Sequence, residues 1–261
     1  MRHFKLRKDL SWELNGRILY RIEATKGNPR VKEGTLGGFV ESENNLSDNA
    51  WVDGDARVYG NACVYENAYV SGNACVYGDA HVYGYAHVYG NARVSGNARV
   101  SGNVYVSGDA RIYGNVYVHG TACVYENADV HGNAYVHGNA CVYGDARIYG
   151  NVYISGDARV SGNVYVSGDA RIYGNACVYG NARVSGDAHV STLKECINIT
   201  NLKNEITITK NHIQIGCEIH TIAHWKKEIK NIGKKHGYTD KEIKATILML
   251  KGALALRGDL K

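Results

Sequence analysis

Residues 74–100 read ACVYGDAHVYGYAHVYGNARVSGNARV, and every sixth residue from Val76 through Val82, Val88 and Val94 to Val100 is valine. The register extends outward from this stretch without a break, back to Val52, Leu46 and Val40 and on to Ile172, Val178, Val184 and Val190. From Ala50 to Ala188 the residue two places before each aliphatic one is Ala or occasionally Val. Two places after it stands Gly, with Glu only at Glu66 and Glu126, and three places after it mostly Asn or Asp. So short a fixed period must be read before anything else, because it dictates the fold. The aliphatic and the small residue are two apart, so both point to the same side of a short strand, and the residue between them points outward. Gly followed by Asn or Asp makes the corner, since Gly accepts any backbone angle and Asn or Asp best tolerates a left-handed one. Three such sides close a triangular coil of about eighteen residues whose successive coils pair as parallel strands ~4.8 Å apart. The twenty-four aliphatic positions from Val52 to Val190 predict eight coils and a rod of roughly 38 Å. Periodicity alone leaves the hand of the coil open.

The flanks follow from where the period fails. Residues 1–35 are read as an N-terminal β cap, because an open solenoid end would expose unpaired backbone and the apolar interior. Within it, RILYRIEAT at 17–25 alternates as a strand and Gly27-Asn28-Pro29 signals a turn. Residues 36–192 are the repeat block, and 193–261 a C-terminal segment. There, EITITKNHIQIGCEI at 205–219 alternates as two strands around Lys210-Asn211. Thr221 starts a helix from 222 to about 232 with Ile222, Trp225, Ile229 and Ile232 on one face, and Gly233 to Gly237 breaks it. Thr239-Asp240-Lys241-Glu242 is a capping box for a second helix to about 257, with Ile243, Ile247, Leu250 and Leu254 on one face. The segment is thus a ββαα unit. Trp225, Ile229, Ile243, Ile247 and Leu250 are the residues expected to seal the last coil or to pack between subunits.

The hexad V-x-G-N-A-x resembles the hexapeptide repeat, aliphatic-Gly-x-x-small-x, of left-handed parallel β-helix proteins, with Gly one place later than in that consensus. The lead-in VKEGTLGGFV at 31–40, followed by Asn45-Leu46-Ser47, is similar to uncharacterised bacterial and phage hexapeptide-repeat proteins described as transferases. The resemblance spans about residues 31–192. It implies a mainly β, single-stranded left-handed parallel β-helix, a homotrimer as the favoured assembly, and relatives that include acyltransferases, γ-class carbonic anhydrases and non-enzymatic rods.

Charge is uneven. Residues 1–50 carry nine Lys or Arg and seven acids; residues 51–190 carry eight Arg, no Lys and eleven acids; residues 191–261 carry thirteen Lys or Arg and seven acids. The basic excess at the C-terminal end suits an anionic partner, a nucleotide or nucleic acid among them, as well as an ordinary solvated surface. Five of the seven cysteines, Cys63, Cys75, Cys123, Cys141 and Cys177, share the outward slot with Arg, Tyr and His. That pattern is one of free thiols in a reducing compartment, not a disulfide framework. The first twenty residues lack an apolar stretch and no run is long enough to span a bilayer. A cytoplasmic protein without a membrane partner is expected, in the host cytoplasm if the chain is phage-encoded.

The outward slots hold the residues that could carry chemistry. In the acyltransferases the chain resembles, a histidine acts as base at a subunit interface beside a loop that breaks the hexad register. Here no such loop interrupts 52–190, and His81, His87, His119, His131, His137 and His189 occupy slots that elsewhere hold Tyr, Ser or Arg. A carbonic anhydrase would need three converging histidines, and no such trio appears. His119 and His137, eighteen apart, are expected on adjacent coils of one face. Cys217-x-x-His220-x-x-x-His224 has a metal-like spacing but lacks a clear fourth ligand, so neither metal nor cofactor is expected. Arg57, Arg93, Arg111, Arg147 and Arg183 differ by multiples of eighteen and so share a face with Tyr59, Tyr77, Tyr113 and Tyr149. Such a stripe suits phosphate or bases, or else forms stacked ladders that solubilise and stabilise the rod. Residues 103–118 closely match 151–166, forty-eight residues on. That offset is a multiple of six but not of eighteen, so copying changed the face each outward residue reached. The sequence therefore favours a non-catalytic scaffold or binding protein working through its ends, its basic C-terminal segment or the face carrying Arg111, Arg147, Tyr113 and Tyr149, with phage counter-defence as one setting. The alternative is an acyltransferase-like enzyme or small anionic-ligand binder with an intersubunit site.

Overall fold

A computed structural model describes residues 3–27, 30–162, 164–168, 170–174, 176–178, 182–184, 189–190, 196–199 and 203–257. From Trp51–Val52 to His189–Val190 the chain runs through twenty-four strands of two to four residues. These stack into three parallel sheets, one per side of the coil. Each rung pairs with the rung eighteen residues on: His87 with Tyr105, Arg93 with Arg111, and Arg99 with Tyr117. The predicted parallel solenoid of about eight turns is therefore the observed fold.

The interior contains what the hexad supplies. Val52, Val58, Ile112, Ile148 and Ile172, with the alanines two places before them, are fully buried. Each fully buried Val or Ile contributes about 1.5–3 kcal/mol, so the repeat itself is the main source of stability. Burial at one end of this core pushes the Cys196 thiol up to about 12.

The corners explain the glycines. Gly144 sits at φ +72°, and a Cβ there would lie 2.6 Å from the backbone nitrogen of Gly162 on the next coil. Glu66 and Glu126 adopt the same conformation at φ 60°. Their carboxylates accept hydrogen bonds from the backbone N–H of Gly84 and Gly144, each at 2.8 Å. The following Asn or Asp side chains form ladders, as in Asn97 to Asn115 to Asn133 to Asn151, each amide donating to the next coil's Oδ1 at 2.9–3.0 Å.

At the N-terminal end, strands β1 (Phe4–Leu14) and β2 (Arg17–Ala24) form an antiparallel hairpin. Strand β3 (Leu36–Val40) pairs antiparallel with β2 and parallel with Arg57–Val58, which converts one pairing mode to the other. The predicted strand at 17–25 is found as β2. Strand β1 lies outside the stretch read as a strand, although Phe4, Leu6, Leu10, Trp12 and Leu14 alternate in it; Lys8 interrupts that alternation where the pairing shifts register between Arg7 and Ser11. Its turn, Asn15-Gly16 with φ 51° and 77°, has the left-handed pair that two-residue hairpins require. Asn28 and Pro29 of the predicted turn lie outside the described residues. Asn45, almost wholly buried, donates to the carbonyls of Gly60 and Ala62 at 3.0 and 2.8 Å, filling acceptor positions of the first coil.

Among its described residues the C-terminal segment has four strands where two are predicted. Ile206–Ile208 and His212–Ile215 flank the predicted turn, and Ile197–Ile199 and Glu218–Thr221 extend the antiparallel sheet on either side. Ile197–Ile199 lies upstream of the stretch read as strands, and a turn at Gly216-Cys217, with Gly216 at φ +59°, divides the second predicted strand. Helix α1 (Ile222–Lys235) runs past Gly233, and Gly237, at φ +70°, follows its end. Gly233 is a contact and not a break: a Cβ there would meet Ile243 Cγ1 at 2.9 Å. Helix α2 (Asp240–Arg257) follows, opened by reciprocal bonds between Thr239 and Glu242. The boundary read at 192/193 lies outside the described residues. The backbone N–H of Arg183, on a late rung, donates to Thr207 Oγ1 at 3.1 Å, joining the four-stranded sheet to the rod.

Candidate functional site

The arginine column is present but not continuous. Arg57, Arg93, Arg111, Arg147 and Arg183 all lie in one sheet, with Cys75, Asp129 and Tyr165 on the intervening rungs. Arg57 is half-buried, its guanidinium 4.8 Å from the ring centre of Trp12. Asp129 sits between Arg111 and Arg147, so one carboxylate interrupts the positive column. On the adjacent column Tyr113, His131 and Tyr149 stack with centroids 4.7 and 4.9 Å apart, and Tyr165 meets Tyr149 edge-on. Burial, and then the nearby Asp129 carboxylate, push the Tyr113 phenol up.

The same stacking recurs on the other faces. Tyr117, Tyr135 and Tyr153 form a run at 5.0 Å spacings, and Tyr65–Tyr83 and Tyr125–Tyr143 stack at 4.8 Å. His119 and His137 are stacked neighbours at 5.0 Å, as their spacing predicts. Burial, with the neighbouring His119, holds His137 below the usual histidine range. These ladders arise because parallel in-register strands place like side chains one coil apart. They fill the outward slots with ring-to-ring contacts.

The C-terminal segment holds the concave surfaces. Trp225, Ile229, Ile243 and Leu250 are buried, and Ile247 is half-buried. Trp225, Ile229 and Leu250 pack with Ile206, Ile208 and Ile213 of the sheet, and Trp225 Nε1 donates to the Ile213 carbonyl at 2.6 Å. Beside them Glu218 accepts from His236 at 2.8 Å and His220 at 2.9 Å, with Lys235 Nζ 3.7 Å away. The His236 bond first, then the His220 bond, hold the Glu218 carboxyl below the usual carboxylate range. This cluster opens on a hollow of about 270 Å³ that Cys217, Lys203 and Tyr238 also line. The His220 and His224 rings lie 4.3 Å apart, but among the described residues no three His, Cys, Asp or Glu side chains are grouped to hold a metal. Sequence reading missed Glu218 and His236 as partners, since the residues are eighteen apart on a strand and at a helix end with no period linking them. No helix is long and apolar enough to cross a membrane among the described residues.

Comparison with known families finds two matches. Residues 86–194 match the family described as "Bactofilin: Polymer-forming cytoskeletal", and residues 56–72 match the "YdcK Beta solenoid repeat". The first covers less than half of the chain. No curated protein matches the sequence. Among solved structures, the UDP-N-acetylglucosamine acyltransferase from Campylobacter jejuni is similar at 12% identity and TM-score 0.37, over 79% of this chain and 81% of that one. The UDP-N-acetylglucosamine acyltransferase of Francisella novicida is similar at 13% identity and TM-score 0.30, over 76% of each chain. Likeness this slight bears on neither activity nor substrate.

Proposed function

We propose that the protein is a self-associating structural scaffold: a stiff rod that holds its two end units at a fixed spacing and presents evenly decorated faces. The observation that carries this reading is the outward surface itself. Tyr and His stacks in its slots and Asn ladders at its corners link coil to coil, and no loop breaks the register among the described rungs to shape a cleft. The match to a family described as polymer-forming supports self-association. So does helix α2, where Leu248, Met249 and Leu256 are 61%, 37% and 80% exposed, an apolar surface of the kind that marks contacts between proteins. A trimer is the assembly the repeat's resemblance favours. The Asp129 carboxylate between Arg111 and Arg147, with Cys75 and Tyr165 on other rungs, speaks against a continuous track for nucleic acid, and no residue carries the counter-defence setting.

Sedimentation velocity over a hundredfold range of protein concentration tests the proposal. Species larger than a monomer are expected, reduced in Leu248→Lys/Leu256→Lys; a monomer at every concentration overturns it.

A further inference from the structure

Between α1 and α2 runs a groove of about 600 Å³, in the size range of small-molecule sites. Its floor is apolar: Trp225, Ile229, Leu250 and Leu254 are each less than a tenth exposed, and Ile222 and Ile247 form half-buried walls. Its rim is cationic. Lys226, Lys227 and Lys230 stand on α1 and Lys251 faces them from α2, all four exposed. Only Lys227 has an ion-pair partner among the described residues, its own neighbour Glu228 at 4.0 Å. Like charges gathered around an apolar slot repel one another unless an anion sits among them.

We propose that this groove binds a single-chain anionic amphiphile of the fatty-acid class, its alkyl chain along the Trp225–Leu254 floor and its anionic head among Lys226, Lys230 and Lys251. The residues that line α1 span 222–230, a length of about 12 Å at the helical rise, so the groove takes an elongated ligand. Nucleic acid fits the rim but has no apolar body for the floor. A second copy's α2 would bring Lys241, Lys244, Lys251 and Arg257 against Asp240 and Glu242 alone, a net positive surface facing a positive rim. A flat bilayer or a broad protein face would not reach side chains already recessed below the lysines. A chain one methylene wide carries its own apolar area into the slot, at about 0.8 kcal/mol for each methylene buried. The site stands independently of the scaffold reading.

The test uses the full chain titrated with dodecanoate below its micellar concentration, followed by isothermal calorimetry. Dodecyltrimethylammonium, anionic phospholipid vesicles and a soluble Leu/Glu amphipathic peptide serve as comparison probes. Saturable binding of one dodecanoate per chain is expected, with the cationic probe, the vesicles and the peptide binding at least about tenfold more weakly. Lys226→Gln/Lys230→Gln/Lys251→Gln, three exposed substitutions, should weaken dodecanoate about tenfold with unchanged circular dichroism, and Ile247→Glu should abolish binding. Absence of saturation, equal binding of the cationic probe, or an unaltered affinity in the lysine variant overturns the proposal. Preference for the peptide or the vesicles overturns it in favour of a protein or membrane partner. Loss of a self-associated species in the lysine variant, without dodecanoate binding to the native chain, overturns it in favour of an interface between copies.

Discussion

Gly144 and Glu126 show how one backbone conformation is met by two side-chain solutions. Gly144 has no room for a Cβ above Gly162, whereas Glu126 reaches over the corner and accepts the Gly144 N–H. Gly144→Ala should therefore destabilise by about 1–3 kcal/mol, and Glu126→Ala by about 1 kcal/mol through the lost bond, both read from urea midpoints. The corner ladders make a further expectation. Asn61 donates to Asp79 at 2.9 Å, but a carboxylate has no N–H with which to continue to Asn97. Asp79→Asn supplies that donor, joins two ladders into one, and should raise stability by about 0.5–1 kcal/mol. An unchanged or lowered midpoint would show that the ladder is not cooperative along the column.

The rungs were legible in sequence because each combines a period, a small-residue partner and a corner signal. The arginine column and the His119–His137 pair could be placed from the same period, and both C-terminal helices from their apolar stripes and capping residues. What escaped lay outside the six-residue period. β1 is exposed and irregular, the outer strands of the C-terminal sheet are three or four residues long, and Glu218 meets His236 only because α1 returns its end to that strand. The groove was invisible because its floor residues read as ordinary helix stripes and its lysines as a solvated face. Glu218 gives the C-terminal unit a pH dependence. Its folded-state pKa is depressed, so its contribution is present above the ordinary carboxylate value and is lost as pH falls through the lower folded one. Acid titration followed by amide hydrogen exchange across residues 206–257 should show the unit loosening below about pH 4.5. Glu218→Gln should remove that dependence while lowering stability at neutral pH; an identical acid profile in the variant would assign the loosening to other carboxylates.

At the scale of the molecule the rod behaves as a column of interchangeable turns between two dedicated ends, each turn touching chiefly its neighbours. Asn45 closes one end with a buried amide and Thr207 receives a backbone N–H of a late rung at the other. Between them, whole turns are dispensable. Deleting residues 103–120, one eighteen-residue repeat, should leave a folded protein whose interior register is intact, shorter by about 4.8 Å in small-angle scattering. Deleting only 103–108 should also preserve the Val and Ala register, yet it carries every later outward residue to the neighbouring face. The eighteen-residue pairing thus makes the repeat a dial as well as a spacer. The number of coils sets how far apart the two end units stand, and the remainder after dividing the hexads by three sets the direction in which the second end faces. A lineage that adds or drops single hexads turns the lysine-rimmed helices around the rod's axis by thirds of a revolution, with no change to the core.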